Sequence, residues 1–112
     1  MTVASENCLL VLTSLPDRDS AMELANSLVG KRLAACVNVL NGCTSVFRWQ
    51  DRVQTDTEVP VLIKVSAGRF AALRDAIVAA HPYDLPEIIA LPIVQGYEPY
   101  LEWVRSEVDF SA

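Results

Sequence analysis

The only histidine of the chain, His81, stands in a short corner that also carries two carboxylates, Asp84 and Glu87. Pro82 prevents a helix from continuing past His81, and Pro86 keeps the connection stiff. One imidazole and two carboxylates within so short a segment offer nitrogen and oxygen donors to a divalent cation such as copper or zinc. We therefore take His81 and Asp84 as candidate metal ligands.

Two other roles for His81 stay open. If the residue ends a helix, its imidazolium would be favoured by the unsatisfied helix carbonyls and by the negative end of the dipole, which is a structural role. His81 could also serve as the acid or base of an enzyme. However, the chain carries no GxGxxG, P-loop, GxSxG or HExxH motif, so the sequence gives no positive evidence for catalysis.

Lys64 is a lysine among apolar neighbours, and its charge needs an explanation. It lies between Ile63 and Val65, where a lysine pairs with a carboxylate or extends its charge to solvent. Glu58 shares its predicted strand and face but lies about 20 Å away. Glu87 is the better candidate partner, with an anion or ligand contact as the alternative.

Aromatic side chains cluster around a predicted hairpin and near the C-terminus. Phe47 and Trp49 lie on the predicted hairpin, and Tyr100 and Trp103 lie near the C-terminus. Such residues ordinarily fill a core or an interface, and stacking on a ligand is the alternative.

Composition favours a small protein that associates with itself. The chain has 112 residues, which fits one domain over residues 1–112 with a flexible start at residues 1–6. Apolar residues make up 52% of the chain and charged residues 21%. This leaves more apolar side chain than a small monomer easily buries, so we expect an oligomer.

Charge and hydropathy exclude several partners and locations. The net charge of −5, with the basic residues scattered, argues against nucleic acid and favours cations. The N-terminus does not resemble a signal peptide, and no apolar run reaches the length of a membrane span. We therefore expect a cytoplasmic protein without a membrane partner.

The three cysteines are predicted to be buried, reduced thiols. Cys8, Cys36 and Cys43 are odd in number and show no CxxC spacing, which fits neither a disulfide framework nor a zinc site.

The hydrophobic pattern predicts an α+β fold. Apolar and β-branched runs predict strands, and apolar positions at helical spacing predict helices. The predicted strands are 8–13, 33–40 continuing as 44–49, 58–65 and 87–94. The first predicted helix begins after a cap at Asp17 or Asp19 and ends at Gly30. The second runs from Ala67 to Ala80, and the third begins at Pro99.

This order, βαββαβ plus a C-terminal helix, is that of a ferredoxin-like split βαβ sandwich. A β-bulge is expected at Asn41-Gly42, and the polar tip at Gln50 to Arg52 predicts an extended hairpin that reaches beyond its own domain. Pro60 lacks an N–H, so we expect a bulge or an edge position there.

Several blocks together resemble the CutA divalent-cation-tolerance family over roughly residues 8 to 108. They are LAACVN at 33–38, FxW at 47–49, Glu58 with Lys64, HPYDLPEI at 81–88, and GxxxYLxW at 96–103. The resemblance implies a PII-like fold, a homotrimer whose hairpins pair across subunits, and a role in tolerance to copper and other divalent cations. It implies no catalytic reaction.

The chain departs from the family pattern at the metal site and at the hairpin. Some relatives bind copper through a cysteine at the end of strand 1 and a His-His pair, but this chain has Thr13, Ala80 and only His81 there. Asp51 replaces a usual glycine at the hairpin tip, and Phe47 replaces a common tyrosine. Val65 follows Lys64 where threonine is usual.

We therefore expect a cytoplasmic homotrimer with clefts between subunits that hold a cation or a small ligand. The candidate ligand-binding residues are Trp49, Glu58, Lys64, Tyr83 and Glu87. The alternatives are a PII-like signalling or structural trimer that acts through a protein partner, and an enzyme that uses His81.

Overall fold

The computed structural model describes residue 4 and residues 6–109. The flexibility predicted for residues 1–6 concerns a segment that lies mostly outside the described residues. The strands are β1 Cys8–Leu15, β2 Cys36–Val39, β3 Cys43–Trp49, β4 Arg52–Ser66 and β5 Ile89–Pro92, and the α-helices are α1 Arg18–Gly30, α2 Phe70–Ala80 and α3 Glu98–Glu107.

Within the described residues, the strands form one antiparallel sheet in the order β2-β4-β1-β5, and β3 pairs with β4 alone. Both inner strands, β1 and β4, are flanked on two sides, as expected for the apolar runs from which they were predicted. This order confirms the ferredoxin-like α+β fold.

The core lies between the two helices α1 and α2 and one face of the sheet. On β4 the buried residues alternate with half-exposed ones, so Val59, Val61, Ile63 and Val65 share the covered face. Helix α1 begins at the cap Asp17, whose Oδ1 accepts a hydrogen bond from the Ser20 N–H at 2.7 Å. Its buried face includes Ala21, Leu24, Ala25 and Leu28, whereas Val29 is exposed.

The opposite face of the sheet is left largely uncovered by helices α1 and α2. Leu10 and Leu12 of β1 and Leu62 of β4 are half-buried there. The β5 partners of Leu10 and Leu12, which are Leu91 and Ile89, are about half exposed. Helix α3 packs near the Cys8 end of this face, where the Cys8 thiol donates to the Leu101 carbonyl at 3.6 Å.

The interruption between β2 and β3 has its cause in Pro60. Val39 faces Val61 and Cys43 faces Glu58, so three residues (40–42) on one side span two (59–60) on the other, which is the predicted bulge. The Leu40 N–H donates to the Pro60 carbonyl at 3.0 Å, but Pro60 has no N–H to return. The alternative of an edge position for Pro60 is wrong, because β4 lies between β1 and β2.

Strand β4 is much longer than predicted. It begins at Arg52 rather than at Glu58, because residues 53–57 pair with β3 in continuous register. Gln50 and Asp51 both have positive φ, as a two-residue type I′ hairpin turn requires. The hairpin protrudes, so the fold measures 46 × 30 × 23 Å.

Strand β5 is shorter than predicted, since it covers only Ile89–Pro92 of the expected segment 87–94. Its pairing with β1 ends at Pro92, opposite Leu9. Helix α3 then starts with Pro99 in its first turn, as the sequence predicted.

Candidate functional site

A cleft of about 760 Å³ lies between the β3–β4 hairpin and the corner that follows α2. Five of the seven predicted site residues line it, namely Trp49, Glu58, Tyr83, Asp84 and Glu87. The structure therefore brings together predicted residues that are far apart in the sequence, since Trp49 and Glu87 are separated by 38 positions. His81 and Lys64 are not among its lining residues.

Tyr83 connects the two walls of the cleft. Its hydroxyl donates a hydrogen bond to Oε2 of Glu58 at 3.2 Å. Partial burial raises the pKa of the Tyr83 phenol, and the negative charge of Glu58 raises it further. The corner is thus tied to β4 by a neutral phenol that donates to a carboxylate.

His81 is buried, and both of its ring nitrogens are used inside the protein. The Tyr83 N–H donates to Nδ1 at 3.2 Å, so the proton of the neutral ring sits on Nε2, which donates to the Ser14 carbonyl at 2.7 Å. The His81 ring also lies against the Tyr83 ring, with centroids 4.7 Å apart. The corner is therefore fixed to the end of β1 through this side chain.

This geometry bears on the capping and metal-binding roles considered for His81. The side chain does not cap its own helix, because the ring turns to β1 and only the backbone N–H bonds to the Ile77 carbonyl at 2.9 Å. No lone pair of the ring is free, so a cation at His81 would have to displace one hydrogen bond. Ligation by His81 and Asp84 stays a prediction.

The cleft is acidic. Among the described residues, its lining includes four carboxylates, from Asp56, Glu58, Asp84 and Glu87, and no lysine, arginine or histidine. In the part of one chain covered by residues 4 and 6–109, however, no three His, Cys, Asp or Glu side chains converge as a metal site requires. The cleft thus favours positive charge without providing a compact metal site from one chain.

Lys64 has a different environment from the one we expected. Its Nζ donates to Oδ1 of Asn38 on β2. Among the described residues, no ion pair joins Lys64 to Glu87, so the predicted pairing is wrong. The reason is that Glu87 lies at the hairpin end of the sheet, whereas Lys64 lies farther along β4, opposite Cys36.

Sequence reasoning missed Asp56, together with the smaller lining residues Ser14, Ser45 and Gln54. Asp56 was missed because the predicted strand began two residues later, at Glu58. The alternation of a strand would have found it, since residues 54, 56 and 58 share one face. Ser45 is the direct partner of Asp56 in the register of β3 and β4.

The family model of the CutA1 divalent ion tolerance protein matches residues 9–107. The chain belongs to the CutA1 family. This match spans all the cleft residues, so the cleft is part of the shared CutA domain.

Relatives with CutA names match over most of this CutA-family chain. The divalent-cation tolerance protein CutA of Thermus thermophilus is 45% identical over 86% of this chain and 93% of its own. Protein CutA of Homo sapiens is 44% identical over 80% of this chain and 50% of its own. A chloroplastic CutA of Arabidopsis thaliana is 42% identical over 88% of this chain and 54% of its own, so this chain spans about half the length of the last two.

Solved CutA structures share the fold. The divalent cation tolerance protein of Thermus thermophilus superimposes with a TM-score of 0.89 at 42% identity, over 91% of this chain and 99% of that one. CutA from Xylella fastidiosa gives a TM-score of 0.89 at 40% identity, over 92% and 99%. The periplasmic divalent cation tolerance protein CutA from Archaeoglobus fulgidus gives a TM-score of 0.88 at 32% identity, over 91% of this chain and 99% of that one.

All three cysteines of this CutA chain are free thiols, as predicted, but they are not all buried. Cys8 is buried, and burial raises the pKa of its thiol, although the nearby Arg105 opposes this. Cys36 is half-buried and Cys43 is exposed on β3. Cys43 escapes burial because, within the described residues, β3 pairs with no strand other than β4.

Proposed function

We propose that this CutA-family protein is a cytoplasmic homotrimer that contributes to divalent-cation tolerance by holding a cation, such as copper or zinc, or a small ligand in the cleft. The observation that carries the proposal is the acidic lining of the cleft beside Tyr83 and Trp49. The names of relatives, which describe divalent-cation tolerance, support the same class of function.

The uncovered sheet face supports the trimer. Leu12 and Leu62 are half-buried on this face, and Ile89 and Leu91 beside them remain about half exposed. The outer edges of β3 and β5 also have no strand beside them within the described residues. Unpaired edges favour pairing with another chain, and closed symmetric assembly buries both edges and face.

The protruding hairpin supports the same conclusion. The radius of gyration of 14.6 Å exceeds the roughly 13 Å expected for a compact fold of this length. Val46 and Val53 near the tip are 68% and 66% exposed. We propose that the hairpin packs on neighbouring subunits and places the cleft at a boundary between them.

Assembly would also explain how a metal ion could be held. One chain supplies carboxylates at Glu58, Asp84 and Glu87 but no compact set of three donors among the described residues. Donors from more than one subunit would complete the coordination, with His81 as a ligand only if it gives up a hydrogen bond. We propose no catalytic role.

The proposed location and partners follow from the thiols and the charge. An exposed free thiol at Cys43 suits a reducing compartment. The net charge of −5 favours neither nucleic acid nor anionic membrane surfaces. In the described part of the chain, no helix is both long and apolar enough to cross a membrane.

Light scattering tests the trimer directly. At micromolar protein, we expect a mass three times that of the chain, and a melting temperature that rises with protein concentration, because assembly stabilises only the folded state. A concentration-independent monomer would contradict the proposal.

Calorimetry with cupric and zinc ions tests the site. We expect binding that is weakened by Glu58→Gln and unchanged by Glu23→Gln, a control at an exposed position on α1. His81→Ala is expected to weaken metal binding only if the His81 ring gives up a hydrogen bond in order to ligate the metal. Equal affinity in wild type and Glu58→Gln would place the metal outside the cleft.

A further inference from the structure

The cleft has more aromatic surface and more space than a bare metal ion uses. We propose that its small ligand is an organic polyamine, a flexible chain with two or more ammonium groups. This inference rests on the proposed cation-binding function and specifies the chemical class of cation that the cleft takes.

The charge of the lining selects the sign of the ligand. Asp56, Glu58, Asp84 and Glu87 line the cleft and no cationic side chain lies among its lining residues. Bringing several carboxylates around one cleft leaves like charges that repel each other, and a bound cation relieves this repulsion. The ligand is therefore a multiply charged cation rather than a neutral or anionic metabolite.

The spacing of the carboxylates selects an extended cation. Asp56 and Glu58 are alternate residues of β4, so their backbones are about 7 Å apart on one face. Asp84 and Glu87 lie on the opposite wall. A metal ion needs its ligands within about 2.6 Å of one point, whereas ammonium groups spread along a chain can meet separate carboxylates.

The aromatic walls favour an organic cation. Phe47, Trp49 and Tyr83 line the same cleft, and Phe47 and Trp49 are each more than a third exposed. An ammonium group over an aromatic face gains a cation–π interaction, and methylene groups gain apolar contact. Neither contact is available to a hydrated metal ion.

Hydrogen bonding is consistent with this assignment. The Tyr83 hydroxyl already donates to Oε2 of Glu58, which leaves Glu58 further acceptor capacity. Ser45 and Gln54 add neutral polar groups to the lining. The cleft therefore offers acceptors for several N–H donors at once.

The test is calorimetry of the whole protein with spermidine, putrescine and the neutral butanediol that matches putrescine. We expect saturable binding of about one spermidine per cleft, tighter than putrescine, and no binding of the diol. Zinc is titrated in parallel, and the mass of each variant is checked by light scattering.

Two tryptophans provide a matched pair of variants. Trp49 and Trp103 are 39% and 42% exposed, but only Trp49 lines the cleft. We expect Trp49→Leu to weaken spermidine binding about fivefold, while Trp103→Leu leaves the binding of both spermidine and zinc unchanged. Asp56→Asn removes one carboxylate charge from the lining and is also expected to weaken spermidine binding.

The outcomes separate the two proposals. Zinc binding without saturable spermidine binding, or spermidine binding that both tryptophan variants leave unchanged, overturns the polyamine inference and keeps the cation site. Binding of neither cation overturns both proposals. Spermidine binding weakened by Trp49→Leu alone supports the inference.

Discussion

At the scale of single residues, the corner depends on His81. Its ring is buried, accepts from the Tyr83 N–H and donates to the Ser14 carbonyl. The His81 side chain thus links two backbone groups, the Tyr83 N–H and the Ser14 carbonyl, that lie in distant parts of the chain. The ring positions the acidic residues of the corner, because Asp84 follows Tyr83 directly in the chain.

Replacement of His81 by leucine is predicted to lower the free energy of unfolding by about 2 kcal/mol, since it leaves a partly buried N–H and a partly buried carbonyl without their partner. Denaturant unfolding at fixed protein concentration measures the loss. Tyr83→Phe is the control, because it removes only the exposed bond to Glu58 and is expected to cost less. Equal losses would show that the His81 bonds contribute little.

The phenol of Tyr83 gives a prediction for alkaline pH. Burial and the nearby Glu58 raise its pKa, so the neutral phenol stabilises the folded state. This contribution is fully present below the ordinary value of about 10 and is lost as the pH rises through the higher folded value. Phenolate absorbance of wild type minus Tyr83→Phe should show late ionisation, and Glu58→Gln should make it earlier. An unchanged curve in Glu58→Gln would contradict the coupling.

At the scale of elements, the β3–β4 hairpin determines the shape of the cleft. The seven residues of β3 pair with the first half of β4 without interruption, and a two-residue turn joins the two strands. Ser45 and Phe47 on β3 line the cleft together with their β4 partners Asp56 and Gln54, and Trp49 lines it as well. The turn fixes the register, and the register fixes which side chains meet.

Asp51→Gly is predicted to stabilise the hairpin. Gln50 and Asp51 have φ of 50° and 65°, a region that costs an L-residue free energy and costs glycine little. We expect the free energy of unfolding to rise by about 1 kcal/mol, as measured by denaturant. Asp56→Gly in the middle of β4 is the matched control and should be destabilising. A fall in stability for Asp51→Gly would show that its side chain supports the turn.

At the scale of the whole molecule, the two faces of the sheet differ. Helices α1 and α2 cover one face, and the other presents Leu62 of β4 together with the exposed Ile89 and Leu91 of β5. A stable monomer rarely leaves so much apolar surface in contact with water. The proposed trimer would bury this face.

Ile89→Lys is predicted to weaken the assembly, because it places a charge on the uncovered face. Val29→Lys on the outer side of α1 is the control, since Val29 and Ile89 are 43% and 50% exposed. Light scattering over a dilution series should show dissociation of Ile89→Lys alone, with circular dichroism confirming that both variants fold. Dissociation of both variants, or of neither, would show that this face is not the interface.

The local elements were readable from the sequence because they follow from local rules. The apolar run after Cys8 predicted β1, the spacing up to Gly30 predicted α1, and Asp17 capped that helix as expected. Their order then left few topologies, and the ferredoxin-like arrangement was among them. The bulge at Asn41-Gly42 was also readable, because turn residues interrupted a β-branched run.

The pairing partners were decided only by the tertiary structure. Periodicity could not show that Lys64 meets Asn38 rather than Glu87, that the His81 ring turns to Ser14, or that Asp56 enters the cleft. Each of these contacts joins residues distant along the chain. Strand register and the path of the corner set which side chains meet, and a one-residue change in register would exchange the two faces. The sequence by itself determined the elements and the kinds of groups available, and the register determined which of them share a cleft.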